Sequence, residues 1–289
     1  MKIEVKGHSG CQVDVVNEDG HIFVYKSTSD TKYLDRLVLQ AQKQEAAGSI
    51  EYQHIRVPHI YSINKTEEQT IVKMQYVYSK NFVEFFEQAG FEQVEYLIGA
   101  LKTFIEYEIS KSALQSVPAT VFQLKFDEIQ SKIQSNLIFQ SLPNASILIE
   151  KCKAIFYGLE DMRIPLGICH GDLTFSNILF NGNNYYLIDF LDSFIETPLQ
   201  DIVKIRQDTA YHWSQLMYTK PYDAIRLQII LNKIDKEIDD YFSKKYDWYN
   251  ANYNIVQLMN ILRIIPYAKE KKVINHLQMI LNSILNEIV

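Results

Sequence analysis

Cysteine, proline and glycine are all scarce in this 289-residue chain, at three, seven and ten residues. Cys11, Cys152 and Cys169 lie far apart and form no CxxC pair. That excludes a disulfide framework or a structural zinc site and fits a reducing compartment. So little Gly and Pro excludes collagen-like and low-complexity chains. No uncharged apolar run approaches the roughly 18 residues that would span a bilayer, so no membrane partner is expected. The opening MKIEVKGHSG alternates charged and apolar residues and lacks the apolar stretch of a signal peptide, and a cytoplasmic location is expected. Positive charge is short as well. Lys and Arg number 29 against 35 Asp and Glu, a net charge of −6, which argues against a nucleic-acid partner. What remains is an ordinary globular composition, 47% hydrophobic and 22% charged. A chain of this size buries about three-quarters of its unfolded surface and needs no covalent staples.

The length suggests two domains or one domain in two lobes. IEVKG, CQVDVV, HIFVYKS and TIVKMQYVYS read as strands, and the Asp-Gly step in Asn17–Gly20 predicts a hairpin between the second and third. Residues 32–47 then carry Leu34, Leu37 and Ala41 at helical spacing, with Gly48 as a stop. After Ser79 helical patterns follow at 91–110, 120–137, 145–161, 222–244 and 253–288. One segment interrupts them. From Leu166, LGICHGDLTFSNILFNGNNYYLIDFLDS reads as a polar loop and two short strands joined by a turn at Asn181–Asn184. The expected fold is α+β and bilobal, with a small β-rich lobe over residues 1–78 and a larger helical lobe over 79–289.

Asp172 and Asn177 sit five residues apart, and Asp189 follows twelve later. The hairpin would bring the three together as an oxygen-rich site suited to Mg²⁺, which takes one or two protein ligands and completes its shell with water and phosphates. Each residue alone is commonplace in a turn. The ordered set His-Gly-Asp-x-x-x-x-Asn followed by Ile-Asp-Phe is not explained by turn preference.

His170 to Asn177 resembles the catalytic loop of the aminoglycoside phosphotransferase and choline kinase-like family, the small-molecule branch of the protein-kinase-like fold. Protein kinases usually carry Arg where this chain has Gly171. Ile188-Asp189-Phe190 resembles the family's metal-binding motif, and Asp201 matches an Asp at the start of the next helix. The resemblance implies an ATP- or GTP-dependent transfer of the γ-phosphate to a hydroxyl of a small molecule. Asp172 would be the catalytic base, and Asn177 and Asp189 would hold Mg²⁺. Gly7, Ser9 and Gly10 resemble a turn whose backbone covers phosphates. Lys26 matches the strand lysine on the α/β-phosphates, with Glu45 as its helix partner and Asp35 as the fallback. Gln75 and Val77 resemble the hinge that would hold the purine base, although a buried strand end reads the same way.

Other residues are less determined. Asp192 would support the metal or substrate, or cap a turn. His170 would hold the loop without titrating, and the remaining histidines show no ligand spacing. Tyr211, Trp213, Tyr218, Tyr222, Tyr246, Trp248, Tyr249 and Tyr253, with Asp208, Asp239 and Asp240, would either bind a cationic amine or a sugar, or simply form core. Aminoglycoside, choline or ethanolamine, and a sugar therefore all stand as acceptors. A protein kinase is the alternative, weakened by the short stretch from Asp189 to Asp201. A non-catalytic nucleotide-binding scaffold is another, weakened because Lys26, Asp172 and Asp189 are all present.

Overall fold

The structure, a computed structural model, describes the backbone of residues 2–6 and all of residues 11–288. The small lobe is built from β1 (Lys2–Lys6), β2 (Gln12–Glu18), β3 (His21–Thr28), α1 (Leu34–Gly48), β4 (Ile55–Arg56), β5 (Ile60–Lys65) and β6 (Thr70–Gln75). Five of these strands form an antiparallel sheet in the order β1-β2-β3-β6-β5. Asp19 and Gly20 both have positive φ, 51° and 85°, as a two-residue hairpin turn matched to strand twist requires. Leu37 and Ala41 of α1 pack on Ile60, Val72 and Met74, so one helix covers one face of the sheet. The strand β5 has no counterpart in the sequence reading. Its polar IYSINK pattern belongs to an edge strand whose side chains are mostly half-exposed or exposed.

β4 crosses over. It pairs in parallel with β10 (Asn184–Leu187), and Tyr52 and Ile55 join the core of the larger lobe before the chain returns to the sheet. A loop inside the first 78 residues is thereby sewn into the second lobe.

The larger lobe contains α2 (Phe82–Gln88), α3 (Phe91–Ser110), β7 (Ala113–Val117), α4 (Ala119–Ile133), α5 (Leu137–Gln140), α6 (Ala145–Tyr157), β8 (Met162–Leu166) and β9 (Ile178–Asn181), which leads into β10. There follow α7 (Pro198–Thr209), α8 (Trp213–Leu216), α9 (Ala224–Lys245), α10 (Asp247–Leu262) and α11 (Lys271–Ile288). The continuous helical pattern expected over 253–288 is two helices. Pro266, which lacks an N–H, lies in the turn Ile265–Tyr267 that separates them. The β7–β8 pair escapes sequence reading because Pro165 sits in one strand and the other is mostly exposed. Leu97, Leu101, Phe104 and Ile105 of α3 and Leu199, Ile202, Val203 and Ile205 of α7 are buried in one continuous core. Among the described residues no helix is long and apolar enough to cross a membrane.

Candidate active site

The loop after β8 carries the motif, and backbone constraints shape it first. Gly171 has φ +90°, and a Cβ there would lie 2.3 Å from Leu191 O, closer than real atoms approach. Only glycine lets the loop press against the segment that follows Asp189. Leu191 N donates to His170 O at 2.9 Å, which closes the same contact from the other side.

Below the loop lies one face of α7. Asp201 accepts the backbone N–H groups of His170 and Gly171, and Asp208 accepts those of Phe175 and Ser214. The two carboxylates are seven residues apart, two helical turns, so both meet the loop. Burial pushes each up to about 6, opposed by the backbone donors. Glu108 of α3 is buried beside Asp201. Its own carboxyl is pushed well up, by burial first and then by Asp201. The two carboxyl groups are close enough to act on each other, Asp201 raising Glu108 and Glu108 lowering Asp201.

His170 is held as a neutral ring. Asp172 N donates to its Nδ1 at 3.2 Å, so Nε2 carries the proton and donates to Ile188 O at 2.9 Å. Burial drives its pKa down to about 4. Asp172 itself is engaged on both oxygens. Lys204 Nζ lies 2.9 Å from Oδ1, and Asn177 Nδ2 donates to Oδ2 at 2.9 Å and to Asp172 O at 2.8 Å. Burial alone would raise this carboxyl, but the Lys204 charge and hydrogen bond outweigh it and hold the group below its ordinary value. Lys204 was not anticipated. The available signal was that Asp201, Lys204 and Asp208 fall at i, i+3 and i+7, one face of a helix.

The lobes meet at Lys26 and Asp189, whose side chains form an ion pair at 2.8 Å. Lys26 is buried, whereas the Asp189 side chain is 41% exposed. Asp189 has φ +60°, a left-handed conformation costly for a non-glycine residue. Glu45, expected to pair with Lys26, does not. It is exposed on α1, one residue past the buried Gln44 and so about 100° around the helix from the packed face. Gln44 donates to Pro58 O at 3.1 Å instead. The fallback Asp35 is also at the surface, paired with Lys65.

The helix α1 touches the segment after Asp189 through cations. Arg36 Nε lies 2.9 Å from Asp192 Oδ1, and Lys43 Nζ lies 2.6 Å from both Glu196 Oε2 and Leu191 O. Asp192 thus pairs across the lobes, a role its sequence context did not suggest. Gln75 ends β6 opposite Phe23, and its N–H donates to His59 O at 2.8 Å. Val77 is buried just beyond it. Gly7, Ser9 and Gly10 lie outside the described residues.

The oxygen donors fit a magnesium ion. The Asn177 amide nitrogen is committed to Asp172, which leaves its oxygen as a ligand, and Ile188 N donates to Asn177 O at 3.0 Å, bringing Asn177 beside Asp189. Among the described residues no cluster of three or more His, Cys, Asp or Glu side chains could hold a metal alone.

The aromatic and acidic groups considered for a cationic acceptor are otherwise occupied. All eight aromatic residues pack in or against the main core. Asp208 lies under the loop, Asp239 accepts from Arg206 and Tyr249, and Asp240 pairs with Lys244.

Residues 124–227 match the model of the phosphotransferase enzyme family. Among curated proteins no sequence match is found. Solved structures do match. An APH(2″)-IIia structure with GDP and kanamycin superimposes with a TM-score of 0.63 at 14% identity, covering 98% of this chain and 92% of that one. A thermostable mutant of aminoglycoside phosphotransferase APH(4)-Ia with AMP-PNP and hygromycin B gives 0.62 at 10%, covering 99% and 93%. The amicoumacin kinase hAmiN with AMP-PNP and Ca²⁺ gives 0.59 at 11%, covering 99% and 88%. At such identities the likeness establishes the fold, while the matched segment holds the loop His170–Asn177, the hairpin and α7. Residues 124–227 are therefore similar to the phosphotransferase enzyme family, set in a chain that has the bilobal protein-kinase-like fold throughout.

Proposed function

We propose that this protein transfers the γ-phosphate of ATP or GTP to a hydroxyl of a small molecule. The observation that carries this reading is the meeting of Lys26 with Asp189 between the lobes, beside Asn177 and Asp172. Phosphoryl transfer of this kind depends on positioning and charge stabilisation more than on covalent chemistry. Lys26 would exchange its contact with Asp189 for the α/β-phosphates. Asp189 and the Asn177 oxygen would hold Mg²⁺, which would supply positive charge against the phosphates. Asp172, kept ionised by Lys204, would accept a hydrogen bond from the acceptor hydroxyl and fix its direction of attack. A carboxylate is a weak base toward an alcohol, so it receives the proton only as the O–P bond forms. Asn177 steers the same carboxylate from its other oxygen, and neutral His170 keeps the loop in place.

The test is nucleotide consumption by the purified protein against a panel of hydroxylated sugars, amines and acids. Acceptor-dependent release of nucleoside diphosphate, lost in Asp172→Asn with nucleotide binding retained, is the expected result. Wild-type turnover by Asp172→Asn with a confirmed acceptor would remove Asp172 from the mechanism.

A further inference from the structure

Asp172 in the loop and the acidic side chains of the segment after Asp189 are each matched by a cation, while Asp201 and Asp208 beneath the loop are buried and taken up by backbone N–H groups. Asp172 has Lys204, Asp192 has Arg36, and Glu196 has Lys43. Glu128 of α4 has two, Lys125 at 2.7 Å and Lys132 at 2.5 Å. One cation is left over. Arg263, at the C-terminal end of α10, has no carboxylate within ion-pair distance among the described residues. It stands with its guanidinium 5.5 Å from the centre of the Phe194 ring. Lys125 Nζ lies 6.0 Å from the same ring. Phe194 is five residues past Asp189 and lines an open groove with Val117, Pro118, Val121 and Glu196. Arg263 is half-buried, and its electrostatic neighbours are Asp172, Arg36, Tyr267 and Glu128. The helix C-terminus favours a cation but does not require one that is partly desolvated and within electrostatic reach of Asp172.

Resting on the phosphotransferase reading above, we propose that the acceptor carries an oxyanion, a phosphate or carboxylate, which Arg263 binds while the acceptor's hydroxyl reaches Asp172. A planar guanidinium offers two parallel N–H donors that match either group. Phe194 holds the guanidinium at cation–π distance, 5.5 Å from the ring centre. A polycationic acceptor would find no free carboxylate among these residues, since each already has its cation or its backbone donors, and would be repelled by Arg263.

The test is titration calorimetry on protein saturated with Mg-ADP, using glucose 6-phosphate, gluconate, glucose, glucosamine and kanamycin as probes. The anionic sugars are expected to bind at least about tenfold more tightly than glucose, with the amines weakest. Comparison of glucose 6-phosphate with gluconate separates phosphate from carboxylate recognition. Arg263→Gln should erase the preference, and Arg263→Lys should keep part of it, because the charge remains without the two-pronged geometry. Tighter binding of kanamycin or glucosamine, no binding of either anionic sugar, or anion binding unmoved in Arg263→Gln would each overturn the proposal. Failure to bind Mg-ADP at all is a different result. It would sink the phosphotransferase reading and this inference with it.

Discussion

Replacing Gly171 with alanine isolates the backbone contact on which the site is built. Two costs are imposed together. The residue must adopt φ +90°, which costs an L-residue with a side chain about 1–2 kcal/mol. Its Cβ must also displace Leu191 O from 2.3 Å, an overpacking typically worth about 1–3 kcal/mol. The expected loss of unfolding free energy is therefore about 2–5 kcal/mol, read by urea denaturation. Leu191 O also accepts Lys43 Nζ at 2.6 Å, so moving it loosens α1 from the segment after Asp189 and should weaken Mg-nucleotide binding. Gly182→Ala is the control. That glycine has φ +58° with nothing within 4 Å of its added Cβ, so only the backbone cost of about 1 kcal/mol applies. Equal destabilisation by the two substitutions, or Gly171→Ala within about 0.5 kcal/mol of wild type, would refute the close-approach argument.

Three further outcomes follow from the same geometry. Glu45→Gln should leave nucleotide affinity and turnover unchanged, whereas a Lys26→Ala and Asp189→Ala cycle on nucleotide affinity should be non-additive; additivity there, or a defect in Glu45→Gln, would restore the discarded pairing. Lys204→Met leaves burial to act on Asp172 without its ion pair, so the carboxyl rises and the acid limb of the kcat/KM profile moves to higher pH; an unmoved limb would remove Lys204 from control of that group. Glu108 and Asp201 have folded pKa values above their unfolded ones, so their stabilising contribution is full below the unfolded values and is lost as pH rises through the folded ones, about 6 for Asp201. Glu108→Gln removes one buried titrating carboxyl, so its melting temperature should gain on wild type as pH rises; a parallel pH dependence would show that Glu108 does not carry that loss.

The motif segment was legible because its chemistry is local. The order His170, Asp172, Asn177, Asp189 and the turn at 181–184 can be read along one stretch of chain, and the hairpin register Asn181–Asn184 to Ile178–Leu187 then brings the ends together. The strands of the small lobe were legible for the same reason, as alternating β-branched and aromatic residues. β4 was not. Two residues of strand carry no periodicity, and their pairing with β10 spans more than a hundred positions. Glu45 failed on a finer point. The helix was placed correctly in outline, but one residue of phase decides whether a glutamate faces Lys26 or water, and the apolar positions Leu34, Leu37 and Ala41 already put Gln44 on the inner stripe.

Charge was the least legible property, and for a physical reason. The eight aromatic and three acidic residues of the C-terminal half look in sequence like a pocket for a cation, because a sequence shows which charges exist and not which are already matched. Asp208, Asp239 and Asp240 are each engaged within a few residues or across adjacent helices. Conversely Lys204 and Arg263 look like ordinary helix-surface cations until α7 and the end of α10 are turned toward the loop. A site is defined by the charge left over after pairing. On the proposal made for Arg263 that remainder would be positive and would disfavour polyamine acceptors, despite the net charge of −6 carried by the chain as a whole.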